Sequence, residues 1–319
     1  MPNASDEAEV ALDAAQNGAL LRDLPLQTIH VTGPDRASWL NGLVTCDLAK
    51  LGPGDAAYGL LVAKNGKIQS EVYLCLGSDR IELGVRADRA ADLAATLDRY
   101  LVMEDAALEV ATSSAWMLAL GPRAADVLAK ARAAGVVGGL VRRASTTAAI
   151  LTAPERAAIA AAVASDASIR IASDAGWQRV RVELGIPALD VDFDDASYPQ
   201  EASLEGDAVS FSKGCYLGQE AVFMLEKRGH VKKRLVQIAL DSGANVDAVK
   251  PGAAIERPDD GAVGAVTSVT TTPDGRTLAL GHVKYKHAKP GEAFVIGGAR
   301  GTSTDVVPAP KKGDLRSRS

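Results

Sequence analysis

The sequence predicts an α+β fold in which helices and antiparallel sheets fill the N-terminal two-thirds and a small all-β unit follows. Three observations carry this. A strand-like run leading into a helix-like pattern occurs twice, through Gly33-Pro34-Asp35-Arg36-Ala37 and through Gly121-Pro122-Arg123-Ala124-Ala125. A hairpin pattern lies between the two copies, so strands and helices are not strictly alternated, which disfavours a doubly wound parallel sheet. After about Val231 only short β-prone runs separated by Gly, Pro and Asp turns remain.

The elements follow in order. Pro34 suits a first helical position, where a missing N–H costs nothing, and Trp39, Leu40 and Leu43 then share one face. Asn65-Gly66 is a tight turn ahead of a strand from Ile68 to Leu76. Glu71 on that strand is expected to face solvent. Val72, Leu74 and Leu76, then Ile81, Leu83 and Val85, alternate across Gly77-Ser78-Asp79 as an antiparallel hairpin. Leu93, Leu97, Tyr100 and Leu101 recur at helical spacing, and Val127, Leu128 and Ala131 do so in the second copy. The Ala-rich stretch from about Ala124 to Ala175 holds at least one further helix. Leu235 to Leu240, Ala262 to Val269, Leu278 to Tyr285 and Phe294 to Ile296, with turns such as Pro273-Asp274-Gly275, have the spacing of a small barrel or sandwich. The expected division is 1–230, 231–307 and a basic, disordered tail at 308–319.

Composition narrows the function. A chain of 319 residues with 47% hydrophobic and 24% charged residues is a globular protein with more than one core. A net charge of -5 argues against a DNA partner, and 4% aromatic residues offer few base-stacking platforms, which disfavours RNA. Apolar runs fall short of the roughly 20 residues of a membrane span. Asp6, Glu7 and Glu9 stand where a secretory leader has basic residues, so the expected location is the cytoplasm. Cys46, Cys75 and Cys215 are odd in number with no CxxC pair, and the four histidines lack ligand spacing, so neither a disulfide framework nor a metal site is expected. Asp190, Asp192, Asp194 and Asp195 lack the mid-loop glycine and closing glutamate of a calcium loop and read as a solvated acidic loop.

The chemistry concentrates in Lys213-Gly214-Cys215-Tyr216-Leu217-Gly218-Gln219-Glu220, where a lone thiol stands near a lysine, between glycines, at the opening of a helix. A cation and the positive end of a helix are expected to make such a thiol ionise more readily than a free one. Backbone N–H groups at the Gly218-Gln219-Glu220 step could instead bind an anion, and a small buried cysteine is the plain alternative. His230 is the candidate base for a Cys-His pair, though it stands in Lys227-Arg228-Gly229-His230-Val231-Lys232-Lys233-Arg234, a run with five Lys or Arg residues. That run is either a solvated face or a site for an acidic ligand.

The motif resembles that of the YgfZ-type folate-binding family of iron-sulfur assembly proteins, relatives of the glycine-cleavage T-protein. The likeness extends back through Trp177 to Pro187, Tyr198 to Leu204 and Val209 to Ser212, forward to Gly229 and Arg234-Leu235, and to Trp39 to Leu48 near the N-terminus. It implies a three-lobed T-protein-like arrangement, two interleaved α/β lobes and a C-terminal β-barrel around a central hole that takes tetrahydrofolate or a derivative. It also implies iron-sulfur client or assembly proteins as partners and a link to tRNA modification. Cys215 and Lys213 are then the reactive pair, and Lys213, Gly214, Tyr216, Gly218, Gln219, Glu220, Glu71 and Arg181 the folate-binding set. Lys213 or the 227–234 cluster would hold the glutamyl tail. The thiol's role, whether ligating a cluster, exchanging with another thiol or attacking a folate carbon, stays open. The chain departs from the family pattern at Met224, where an arginine is usual, and at Met103, Glu104 and Asp105, where basic residues are usual. Related aminomethyltransferases are the other class the resemblance admits; where they carry an acid-base aspartate, this chain has Ser70-Glu71.

Overall fold

The computed structural model describes residues 4–304, apart from 145, 228, 242–245 and 273. The expected tail at 308–319, Arg228 of the basic run and Pro273 of one turn lie outside these residues.

Two five-stranded sheets form the N-terminal part. One orders Ala56–Val62, Ile68–Leu76, Arg80–Arg86, Leu26–Thr32 and Ala107–Val110, all antiparallel. The other orders Ile169–Ile171, Ala19–Leu24, Ala115–Leu120, Thr146–Ala153 and Val137–Arg143, with a parallel pair only between its first two strands. Consecutive strands 19–24 and 26–32 enter different sheets, so the lobes interleave. Each sheet holds one copy of the repeated strand-to-helix step, leading into helices Arg36–Asn41 and Ala124–Ala133. Both prolines lie in the turn two residues before the helix rather than at its first position.

The strand period of two sorts side chains between layers. Trp116, Leu118 and Leu120 point into the core shared by the sheets, with Tyr58, Leu60, Tyr73 and Cys75 from the other side. Met117 and Ala119 point outward onto Val127, Leu128, Ile159 and Val163 of the covering helices. Val72, Leu74, Leu83 and Val85 likewise meet Trp39, Leu40, Leu93 and Leu97. The result is helix, sheet, sheet, helix, which explains why the 56–62 strand is apolar throughout and buried along its length. The indole N–H of Trp116 donates to Thr28 Oγ1 (2.9 Å) across the layers.

The Ala-rich region departs most from expectation. It holds helices Ala124–Ala133 and Arg156–Val163 as anticipated, but also the paired strands 137–143 and 146–153 and the short 169–171 strand. Small alanines suit a strand packed tightly between two layers as well as they suit a helix, so composition alone does not place the strands.

Helix Asp174–Glu183 is capped by Ser173, whose Oγ accepts the Gly176 N–H (3.2 Å). It bridges helix Ala4–Asn17 and the C-terminal unit. That unit is a closed six-stranded barrel, ordered Lys233–Leu240, Thr277–Lys284, Gly261–Thr271, Ala254–Arg257, Ala293–Ile296 and Ala299–Thr304, the last pairing with the first. Of the barrel and sandwich the sequence allowed, closure selects the barrel, which removes both sheet edges. No helix among the described residues is long and apolar enough to cross a membrane.

The acidic loop is solvated at Asp190, Asp194 and Asp195, as expected, but its Asp192 is a buried structural hub. Asp192 is buried and accepts from Arg181 Nη1 (2.6 Å), Ser268 Oγ (2.7 Å), Thr267 Oγ1 (2.5 Å) and the Ala188 N–H (2.9 Å). Asp190 pairs with Arg86 (2.9 Å), and Asp194 accepts from Ser197 and Ala196.

Candidate functional site

The motif is built onto the turn that ends helix 36–41, so two stretches far apart in sequence form one unit. The N–H groups of Ser210 and Leu217 donate to Thr45 O and Gly42 O (both 2.9 Å). Thr45 Oγ1 donates to Ala208 O (2.6 Å) and accepts the Leu60 N–H (2.8 Å), clamping the turn to the 56–62 strand. Lys213 is buried, and its ammonium donates to Asn41 O (2.6 Å), Val44 O (3.0 Å) and Cys46 O (2.6 Å). An ammonium has three donors and all are used. A cation beyond the C-terminal end of a helix is favourably placed against its exposed carbonyls. Burial nevertheless pushes the Lys213 amine down from its ordinary range, with Cys46 and Asp47 opposing the shift.

This corrects the expected Lys213–Cys215 partnership. The lysine has no donor left for the neighbouring thiol and acts as a brace. Cys215 itself is exposed, whereas Cys46 and Cys75 are buried. Burial pushes the Cys46 thiol up to about 12, against the opposing pull of Lys213, and pushes Cys75 up as well. Among the described residues no base hydrogen-bonds to Cys215. His230 instead stacks on Tyr285, ring centroids 4.7 Å apart.

Glycine is required where the motif turns into helix Gln219–Lys227. Gly218 has φ +80°, and a Cβ there would sit 2.3 Å from Ala63 O. Gly66 (φ +81°) meets the same helix, where a Cβ would lie 2.8 Å from Ala221 Cβ. The 63–67 turn and the start of the motif helix are therefore in direct contact, which brings the strand of Glu71 and the thiol loop into one neighbourhood. Gln219 Nε2 reaches back to Gly214 O (3.4 Å), Gly214 has open space around it, and Glu220 is exposed. Tyr216 is buried in the core shared by the sheets, and its hydroxyl has no partner among the described residues. Burial alone raises its phenol.

Glu71 does not face solvent. It accepts from Tyr58 Oη (2.6 Å) and lies 3.8 Å from Arg143, whose guanidinium sits 3.9 Å from the Tyr58 ring centroid. Tyr58 and Tyr73 are cross-strand partners with rings 5.1 Å apart. Arg143 also pairs with Asp207 (3.4 Å), and its Nε is buried without a partner among the described residues. Burial raises the Glu71 carboxyl, with Arg143 and the Tyr58 bond pulling the other way. Of this cluster, sequence reasoning singled out only Glu71. The hairpin register pairs Tyr58 with Tyr73, a usable signal; Arg143 lies in the Ala-rich region, on a strand that the sequence reading did not delimit.

Arg181 stands apart from the motif. It is buried, donating to Gln178 Oε1 (2.8 Å), Asp192 Oδ2 (2.6 Å) and Ser268 Oγ (2.7 Å), and so ties helix 174–183 to the barrel. As placed, it braces the helix against the barrel. In the basic run Lys232 and Lys233 are exposed, but Arg234 pairs with buried Glu205 (2.5 Å) and is not free for a glutamyl tail.

Comparison with known proteins agrees with this architecture. The GCVT N-terminal domain family matches residues 4–137. The tRNA-modifying protein YgfZ of Serratia proteamaculans is 30% identical over 253 residues, covering 73% of this chain and 72% of that protein. That of Aliivibrio fischeri is 26% identical over 264 residues, covering 79% and 80%. Among solved structures, the glycine cleavage system aminomethyltransferase T of Bartonella henselae superposes with a TM-score of 0.75 at 20% identity, covering 94% of this chain and 88% of that one, a likeness of fold. Two interleaved lobes, a closing barrel and a sequence match sustained over most of both proteins lead to one assignment: the chain belongs to the YgfZ family, relatives of the glycine-cleavage T-protein.

Proposed function

We propose that this protein is a tetrahydrofolate-binding factor that supports iron-sulfur cluster assembly or repair in client enzymes, including those that modify tRNA, with Cys215 as its working thiol. The observation that carries the reading is the contrast among the three cysteines: one is exposed on a loop braced by Lys213 and Leu217, and two are buried. A fixed, accessible thiol without an adjoining base suits exchange with another thiol, or transient ligation of a cluster, better than self-contained nucleophilic catalysis. Among the described residues no group of three or more His, Cys, Asp or Glu side chains could hold a metal ion, so a cluster would be cargo shared with a partner protein.

Unpartnered polar atoms in the N-terminal core support a folate as the ligand. Its pteridine offers N–H donors and a carbonyl, and the chain offers the unpartnered Tyr216 hydroxyl, the Glu71 carboxyl and the unpartnered Nε of Arg143. Tyr216, Glu71 and Arg143 would hold the ring system, with Gln219 and Glu220 at the open side of the loop. Lys213 and Gly218 keep the surrounding backbone in place, and Arg181 holds helix 174–183 to the barrel. When bound, the folate would supply a carrier for one-carbon units.

In a strain lacking the gene, the Cys215→Ser variant is expected to leave iron-sulfur enzymes underactive where the wild type restores them; full rescue by serine would remove any thiol mechanism. A second reading, an aminomethyltransferase, is favoured by the hydrogen-bonded Glu71 carboxyl on the strand after the Gly66 turn. Release of formaldehyde or methylene-tetrahydrofolate from an aminomethyl donor would establish it instead.

A further inference from the structure

A cleft of about 300 Å³ lies between the end of the motif helix and the barrel, lined in part by Gln200, Glu205, His230, Tyr285 and Lys289. Its volume is at the lower end of the range for small-ligand sites. Two acceptors in its wall, Gln200 Oε1 and Glu205 Oε2, are buried without a partner among the described residues. The other ends of these side chains are satisfied: Gln200 Nε2 donates to Val222 O (2.9 Å), and Glu205 Oε1 meets Arg234 (2.5 Å). Buried acceptors lacking a donor are rare in folded proteins, and two among the residues of one cleft are open to a donor from a water or from a ligand edge bearing N–H groups.

The remaining features narrow its class. His230 and Tyr285 are stacked with 10° between their planes, and Tyr285 keeps 40% of its surface exposed, leaving an aromatic face for a planar ring. Lys289 is exposed on the lining, and exposed Lys232 accepts the Tyr285 N–H through its carbonyl (3.0 Å). The Glu205 charge is already matched by Arg234, so the wall asks for a neutral donor edge rather than a cation. Glu226, also on the lining, is the feature that would favour an amine.

We propose that this cleft binds a nucleotide whose base carries an exocyclic amine, the base stacking on the His230–Tyr285 pair, its amino edge donating to Gln200 and Glu205, and its phosphate meeting Lys289. Both acceptors are closed off from solvent, so the proposal includes a rotation of the Gln200 and Glu205 side chains that turns them toward the cleft. The nucleotide can be free or a residue of an RNA strand. This inference stands on the cleft alone and does not depend on the folate reading.

The test is calorimetric titration of the full chain with AMP, CMP, UMP, a short oligoadenylate, spermidine and, separately, tetrahydrofolate. AMP and CMP are expected to bind, with UMP about tenfold weaker because its base lacks the amine. Tyr285→Ala should weaken AMP about tenfold or more through loss of the stacking face, with tetrahydrofolate affinity unchanged. Binding of mononucleotides identifies a free ligand; binding of oligoadenylate only, still lost in Tyr285→Ala, identifies an RNA residue. The proposal is overturned by absence of nucleotide and RNA binding, by equal binding of UMP and AMP, by indifference to Tyr285→Ala, or by spermidine binding in place of nucleotides. Loss of tetrahydrofolate binding in Tyr285→Ala also overturns it and assigns the cleft to the folate.

Discussion

Replacing Lys213 by Met separates two roles that the motif makes easy to confuse. Methionine keeps an apolar stem of similar length but removes three hydrogen bonds, at 2.6, 3.0 and 2.6 Å, to Asn41, Val44 and Cys46 carbonyls. Hydrogen bonds to a charged group contribute about 1.5–3 kcal/mol each. The cost of burying the ammonium, visible in its lowered pKa, offsets part of that sum. Breaking one side of a buried charged interaction costs about 3–5 kcal/mol, and we expect a loss in that range. With a urea slope of about 2–3 kcal/mol/M, the unfolding midpoint should fall by about 1–2.5 M. Under native conditions the iodoacetamide labelling rate of Cys215 should stay at the wild-type value, because the ammonium is committed to carbonyls. An unchanged midpoint with slower labelling would refute the reasoning, since it would mean that the ammonium serves the thiol.

Two further outcomes follow from the environments of the titratable groups. Native protein should take up one alkyl group per chain, at Cys215, and urea-unfolded protein three; early labelling of Cys46, whose thiol burial holds at about 12, would contradict its packing against Gly59. Glu71 has a folded pKa above its unfolded value of about 4.3, so the unfolded chain releases its proton first, and native stability is lost as pH rises through that window. Glu71→Gln lacks this loss, so urea midpoints of variant and wild type should differ by an amount that shifts in the variant's favour from pH 4 to pH 8; a pH-independent difference would show that the carboxyl titrates alike in the folded and unfolded chain, and a shift in the wild type's favour that its folded pKa is lowered.

Much of the site's backbone was legible beforehand because glycine leaves a clear mark. The Asn65-Gly66 turn and the Gly218-Gln219 helix opening appear where the residues placed them, since few other residues accept positive φ beside a packed neighbour. The 72–76 and 81–85 hairpin followed from alternation, although both faces proved buried. Side-chain partnerships were less accessible. Lys213 stands two residues from Cys215 yet spends its charge on carbonyls more than 160 positions away in sequence. Arg181 reads as a ligand contact within its sequence block but joins Asp192 and the barrel.

By itself, then, the sequence determined the class of elements, the turns, the all-β character of the C-terminal unit and the segment that carries the thiol, because periodicity and glycine conformations are local properties of the chain. Tertiary structure alone decided which cation meets which anion or carbonyl, that Glu71 lies in a cluster with Tyr58, Tyr73 and Arg143, and that Asp192 of the acidic loop is a buried hub. A charged side chain's partner depends on what burial leaves within about 3–4 Å of it, and that distance is set by the packing of layers distant in sequence.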